Sequence, residues 1–208
     1  YQVFGGYLWF HDPRTVAAET FPWIAFRASG TSGDGASDGL WPTLLDPGLL
    51  QKLDVRGYVR RRYQEAIAEV PRLPGETGHE RRMREICYLH LTRFVQVLLD
   101  RKDRMSMATG LEVRVPFCDH RLGQYVFNTP WSMKTFDGHE KSLLRAASVD
   151  LLPRSVLERR KSPYPATQDP AYEQALRAEL ARLLARPDAR VLPLLDVDRA
   201  RALAAGEG

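Results

Sequence analysis

Three short stretches combine cations with turn-forming residues: Asp100-Arg101-Lys102-Asp103-Arg104-Met105-Ser106-Met107-Ala108, Gly138-His139-Glu140-Lys141, and Arg159-Arg160-Lys161-Ser162-Pro163-Tyr164-Pro165. Cations set on turns rather than along an evident solvated helix face suit the binding of an anion such as phosphate, through charge-assisted hydrogen bonds. Lys141 is the sharpest case. The spacing of Asp137 and Glu140 predicts an N-cap and its reciprocal partner. That places Lys141 in the first helical turn, where the macrodipole disfavours a cation by about 0.3–1 kcal/mol. A phosphate at that helix start reverses the sign, because backbone N–H groups and the ammonium then act on the same charge. The competing reading is a solvated lysine beside a capping Glu140, and on spacing alone it ranks first. Standard catalytic spacings are missing: there is no HExxH, GxSxG, P-loop lysine motif or GxGxxG, and the histidines are scattered. His90 reads as a core histidine rather than a ligand. Asp34 and Asp38 lack the acidic spacing of a calcium loop, and no residue is assigned to a metal.

The elements that must position these residues read as helices. Residues 1–28 are rich in aromatics, among them Tyr7, Trp9, Phe10, Phe21, Trp23 and Phe26. Ser29 to Gly39 has almost nothing to bury and reads as a flexible surface loop. A helix is predicted over Arg56 to Val70, stopped by Pro71, with a cluster of breakers from Leu73 to Gly78. A long central helix follows from about Glu80 to Met107. In it Met83, Ile86, Cys87, His90, Phe94, Val97 and Leu98 recur at three-and-four spacing, so it is expected to be the most buried element. Leu111 to Phe117 alternates, but Pro116 bars it from the middle of a sheet, and it reads as an extended connector. Further helices are predicted from Asp119 to Asn128, from Asp137 to Leu151 before Pro153, and from Asp169-Pro170 to Pro187. The last of these carries Tyr172, Leu176, Leu180, Leu183 and Leu184 on one stripe, and a final helix spans Asp198 to Ala205. The fold class expected of this chain is mostly α-helical.

Composition narrows the function classes. The chain has 208 residues, 44% of them hydrophobic and 27% charged, enough for one or two domains with a real core. Its 30 Lys+Arg against 26 Asp+Glu leave a formal charge of +4, too small an excess to name nucleic acid as the partner. No apolar run approaches the ~18 residues of a membrane helix, so no membrane partner is expected. Cys87 and Cys118 form no CxxC or Cys/His cluster, which points to neither a disulfide framework nor a zinc site and fits a cytoplasmic setting. Tyr1 stands where Met is expected, and no cleavable signal follows. The chain is therefore expected to be an internal or C-terminal piece of a longer protein.

Asp103-Arg104-Met105-Ser106-Met107-Ala108 followed by Leu111-Glu112-Val113-Arg114-Val115-Pro116-Phe117-Cys118-Asp119 resembles the signature of the synthetase domain of glutamine-hydrolysing asparagine synthetases. Phe4-Gly5-Gly6-Tyr7, Glu140-Lys141-Ser142-Leu143-Leu144-Arg145 and Arg160-Lys161-Ser162-Pro163-Tyr164-Pro165 match that family in the same order. The resemblance implies that residues 1–208 are the C-terminal part of an α/β ATP-pyrophosphatase-type (adenine nucleotide alpha hydrolase-like) domain. It also implies ATP and Mg²⁺: aspartate attacks the α-phosphorus, pyrophosphate leaves, and ammonia from a glutaminase domain of the same full-length chain attacks β-aspartyl-AMP. By position, Lys141 matches the family lysine that contacts phosphate oxygens and stabilises charge in adenylation. Arg104, Arg114 and Lys161 match basic positions and are assigned to ATP or pyrophosphate contacts. Arg114 serves equally well as a buried structural cation paired with Glu112 or Asp119.

Some family features have no counterpart here. Tyr1-Gln2 stand where the family has an Asp-Glu pair, and the pyrophosphate loop and the glutaminase nucleophile are absent, so the chain by itself is expected to be inactive. A homodimer is left open. Two alternatives stand beside this reading: a relative that activates another carboxylate, as a β-lactam synthetase does, and a noncatalytic helical module that docks through its basic loops.

Overall fold

Aspartate caps five of the described helices. In the computed structural model, which describes residues 10–25, 44–76, 78–159 and 169–207, α1 (Pro13–Ala17) and α2 (Pro47–Lys52) start directly after Asp12 and Asp46. They are followed by α3 (Val55–Ala68), α4 (Gly78–Leu89), a π-helical turn at His90–Phe94, and α5 (Val95–Met107). Next come α6 (His120–Asn128), α7 (Trp131–Lys134), α8 (Ser142–Ala146), α9 (Arg154–Leu157), α10 (Pro170–Leu184) and α11 (Val197–Ala205). Asp12, Asp46, Asp119, Asp169 and Asp196 each accept a backbone N–H of the turn they begin. Each such cap is worth about 1 kcal/mol. Proline at the first position of α1, α2 and α10 removes an N–H that would have had no partner. The described residues contain no strand, only one isolated antiparallel bridge. The chain is mostly helical, as expected. The loop at 29–39 lies outside the described residues.

The chain divides into two compact units, residues 1–40 with 60–159, and residues 41–59 with 160–208. In the first, α4 is the hub. Met83, Ile86 and Cys87 pack with Phe10, Val126 of α6 and Trp131 of α7. A second cluster joins Tyr63 and Ala66 of α3 to Leu89, with Phe21, Trp23 and Ile67 against it. Full burial of side chains such as Ile86 and Leu89 contributes about 1.5–3 kcal/mol each. Polar ties fix the angles between elements. The Arg82 guanidinium donates to Val16 O, Ala18 O and the Tyr63 hydroxyl, at 2.7 Å each. Glu80 accepts the Trp131 and Ser132 N–H groups at 2.7 and 3.0 Å and so caps α7 from another helix. Buried Arg84 pairs with Glu76 and lies over the Phe127 ring.

The long central helix departs from expectation in its second half. Burial ends at His90: α5 has no buried residue, and Val97, expected on the buried face, is 66% exposed. The π-helical turn at His90–Phe94 explains the change, because its wider i→i+5 ring rotates everything after it relative to an unbroken α-helix. His90 itself is fully buried against Phe10, Trp23 and Phe94, with ring centroids 4.9, 5.5 and 5.1 Å away. It is the core histidine expected, and burial pushes its pKa from 6.5 down to about 3.

In the second unit α10 and α11 pack on each other, and a bridge ties residues 44–46 to 194–196 through Asp46 N to Leu194 O (2.9 Å) and Asp196 N to Leu44 O (2.8 Å). Ala189 and Ala200 are buried here. The apolar stripe of α10 is only partly used. Leu180, Leu183 and Leu184 are half-buried, whereas Tyr172 and Leu176 are exposed.

Candidate functional site

The helix expected from Asp137 to Leu151 is only Ser142–Ala146, and this changes the setting of Lys141. Gly138 and Lys141 both take positive φ, 75° and 60°, which no α-helix can contain. Lys141 is therefore the residue before the helix, not part of its first turn, and among the described residues it is the one non-glycine with positive φ. Asp137 does not cap with Glu140 in return. Its carboxylate accepts the His139 N–H at 2.9 Å and the Ser142 hydroxyl, closing a turn that the capping pattern did not anticipate. Those bonds, the Ser142 hydroxyl first, hold the Asp137 pKa below its usual value. A helix of five residues has little macrodipole, so the anion argument from a helix start does not carry over to this geometry. What replaces it is strain: a left-handed lysine costs about 1–3 kcal/mol and persists only where its surroundings over-determine it.

Around Lys141 three charged side chains are partly buried. Lys141 Nζ lies 3.5 Å from Glu140 Oε1, and Arg145 Nη2 lies 3.4 Å from the same oxygen. Their side chains are 17%, 19% and 21% exposed for Lys141, Glu140 and Arg145. Two cations thus share one carboxylate in a region of restricted solvent, where electrostatic interactions are stronger than at the open surface.

Each of the other sequence-derived candidates has a different setting. Arg104, on α5, is 79% exposed and pairs with Asp100 at 2.8 Å one turn earlier. Arg114 pairs with Glu112 at 2.9 Å and is 82% exposed, so it is a surface cation and not the buried one considered above. Asp119, its other suggested partner, is held by Arg121 at 2.7 Å and caps α6. Lys161 lies outside the described residues. Arg114 and Lys102 also line a groove of about 660 Å³ whose apolar wall runs through Leu91, Val95, Leu98 and Leu99 to Val115 and Phe117. Cys118 and His120 complete its rim. As expected of the connector, residues 111–115 form no regular element before the 3₁₀ turn at Pro116–Cys118. Sequence reasoning gave no role to Arg145. It was visible as the last residue of the Glu140-Lys141-Ser142-Leu143-Leu144-Arg145 stretch, but nothing in its spacing shows how far its guanidinium reaches. Among the described residues, no group of three or more His, Cys, Asp or Glu side chains could hold a metal ion.

The stretch from Asp100 to Met107 lies on the exposed α5 helix rather than on a turn. The class of protein to which these motifs belong is identified by comparison with known sequences. Residues 2–207 match the asparagine synthase family, and the chain is a member of that family. It is 42% identical over 195 residues to asparagine synthetase [glutamine-hydrolyzing] 3 of Bacillus subtilis, covering 94% of this chain and 30% of that protein. Over 67 residues it is 46% identical to the asparagine synthetase [glutamine-hydrolyzing] of Rattus norvegicus and 43% identical to that of Homo sapiens, in each case 31% of this chain and 12% of the relative. The chain thus spans less than a third of the length of these relatives. No helix among the described residues is long and apolar enough to cross a membrane.

Proposed function

We propose that this chain supplies the C-terminal part of the synthetase domain of an ATP-dependent, AMP-forming amide ligase that makes asparagine. Membership of the asparagine synthase family over residues 2–207 carries the reading, and the 42% identity to a glutamine-hydrolysing asparagine synthetase favours aspartate over another carboxylate. The rest of the domain would be of the α/β ATP-pyrophosphatase type. A glutaminase domain of the same protein would deliver ammonia, and a homodimer in a cytoplasmic setting is compatible with this reading.

In the proposed reaction a β-carboxylate oxygen of aspartate attacks the α-phosphorus of ATP. The bond from that phosphorus to the bridging oxygen breaks, and pyrophosphate leaves with the electron pair. Ammonia then attacks the β-carbonyl carbon of the mixed anhydride, AMP departs, and the nitrogen loses a proton to give asparagine. Lys141 is the residue we assign to the phosphate oxygens, where charge builds as the α-phosphorus is attacked. Stabilising developing charge with preorganised cations is usually the largest catalytic term. Its partly buried position and strained backbone support this role. Arg104, Arg114 and Lys161 are proposed to contact ATP or pyrophosphate, and Arg114 is supported further by its place with Lys102 in the groove wall. Among the described residues no three His, Cys, Asp or Glu side chains gather as a metal site, and no step assigned here runs through Mg²⁺.

Aspartate labelled with ¹⁸O in its β-carboxylate tests the reading in the full-length protein. One label is expected in AMP and none in pyrophosphate. Label appearing in inorganic phosphate alongside ADP would overturn it. The 208-residue chain assayed alone is expected to release no pyrophosphate from ATP and aspartate.

A further inference from the structure

We propose that Arg145 is a positioning residue that holds Lys141 in its strained, reactive placement. This inference rests on the assignment of Lys141 made under Proposed function.

Arg145 grips the turn on both sides of Lys141, at the peptide before it and at the peptide after it. Its backbone N–H donates to Lys141 O at 2.9 Å. Its guanidinium Nε donates to Glu140 O at 2.9 Å, and Nη2 approaches the Glu140 carboxylate at 3.4 Å. The other end of the fork reaches away from the turn. Nη1 donates to Leu157 O, the last residue of α9, and Nη2 reaches Arg159 O at 3.2 Å. Carbonyls at a helix C-terminus lack intrahelical partners, and a cation is the group that satisfies them best. One planar cation therefore binds the Lys141 turn to the end of α9 and the residue after it. A lysine in its place has a single nitrogen and cannot span this set of acceptors.

Two further observations assign positioning rather than mere stabilisation. First, Lys141 adopts a left-handed backbone that must be held by its surroundings. Asp137 and the buried Ser142 hold the near side of the turn, and Arg145 holds the far side. Second, Glu140 faces both Lys141 and Arg145. With one carboxylate set against two cations, these three groups keep a positive balance toward a phosphate. Without Arg145, Glu140 would face Lys141 alone and draw its ammonium away from any bound anion.

A double-mutant cycle in the full-length protein tests this, read as pyrophosphate release with kcat and KM for ATP and aspartate separated. Arg145→Lys and Arg145→Ala are expected to lower kcat about 10²-fold, the loss typical of a displaced catalytic group, with KM for aspartate little changed. Lys141→Ala is expected to cost about 10²–10³-fold, and adding Arg145→Ala to it is expected to cost nothing more, because Arg145 acts through Lys141. An equal further loss on the Lys141→Ala background would overturn the positioning role while leaving Lys141 in place, and so would wild-type kcat in Arg145→Lys. Lys141→Ala at full rate would overturn the Lys141 assignment and this inference with it. Where Arg145→Ala does not fold, Arg145→Lys carries the cycle.

Discussion

At the scale of single residues, burial shifts the pKa of two groups, His90 and Lys134, of which only His90 lies on the apolar spacing of the sequence. His90 is neutral in the fold, with its pKa pushed by burial from 6.5 to about 3. The unfolded chain binds the extra proton first. Stability from this residue is therefore complete above about pH 6.5, declines as pH falls toward 3, and levels off below. His90→Leu should flatten that part of a stability–pH curve measured by urea unfolding, and an unchanged slope would contradict the buried, neutral state. Lys134 is also buried, and desolvation chiefly lowers its pKa. Replacing a buried charge by an apolar side chain of similar length is often neutral or stabilising. Lys134→Met is therefore expected to leave the unfolding midpoint unchanged or raise it, and a loss above about 2 kcal/mol would show that the ammonium has a structural partner. His90 was legible because it falls on the apolar spacing. Lys134 was not, since a lysine in a short segment between Thr129-Pro130 and Asp137-Gly138 carries no signal of burial.

At the scale of elements, helix starts were legible at Asp119 and Asp169-Pro170, where Asp precedes a helical pattern, but the same signal at Asp137 starts no helix. The same Asp-Pro pair at Asp12-Pro13 begins α1, a helix too short for periodicity to reveal. The misreadings share a cause: each predicted helix ran on through residues whose backbone leaves the α-region or changes its pitch. Gly138 and Lys141 stop the helix expected from Asp137, and the π-helical turn rephases the one expected from Glu80. The contrast within that second helix is testable. Ile86→Ala, in the core of α4, should cost about 2–5 kcal/mol. Val97→Ala, on α5, should stay within about 0.5 kcal/mol because little apolar surface is lost. Equal costs in urea unfolding would mean that α5 is as buried as α4.

At the scale of the molecule, the family was legible before the geometry, because short ordered motifs survive where tertiary contacts cannot be read. The site was legible only in part. Lys141 was found by its motif, but its left-handed turn and the reach of Arg145 depend on a fold that spacing does not encode. Arg104 and Arg114 were found by the same motifs and stand on the surface with carboxylate partners of their own. The central claim is that Lys141 stabilises charge during adenylation, and the measurement that tests it most directly is single-turnover pyrophosphate release by the full-length protein with Lys141→Ala. The expected result is a rate about 10²–10³-fold below wild type, with the melting temperature and circular dichroism unchanged, since the residue lies on a turn and off the apolar stripes. Pyrophosphate release at the wild-type rate by a folded Lys141→Ala protein would contradict it.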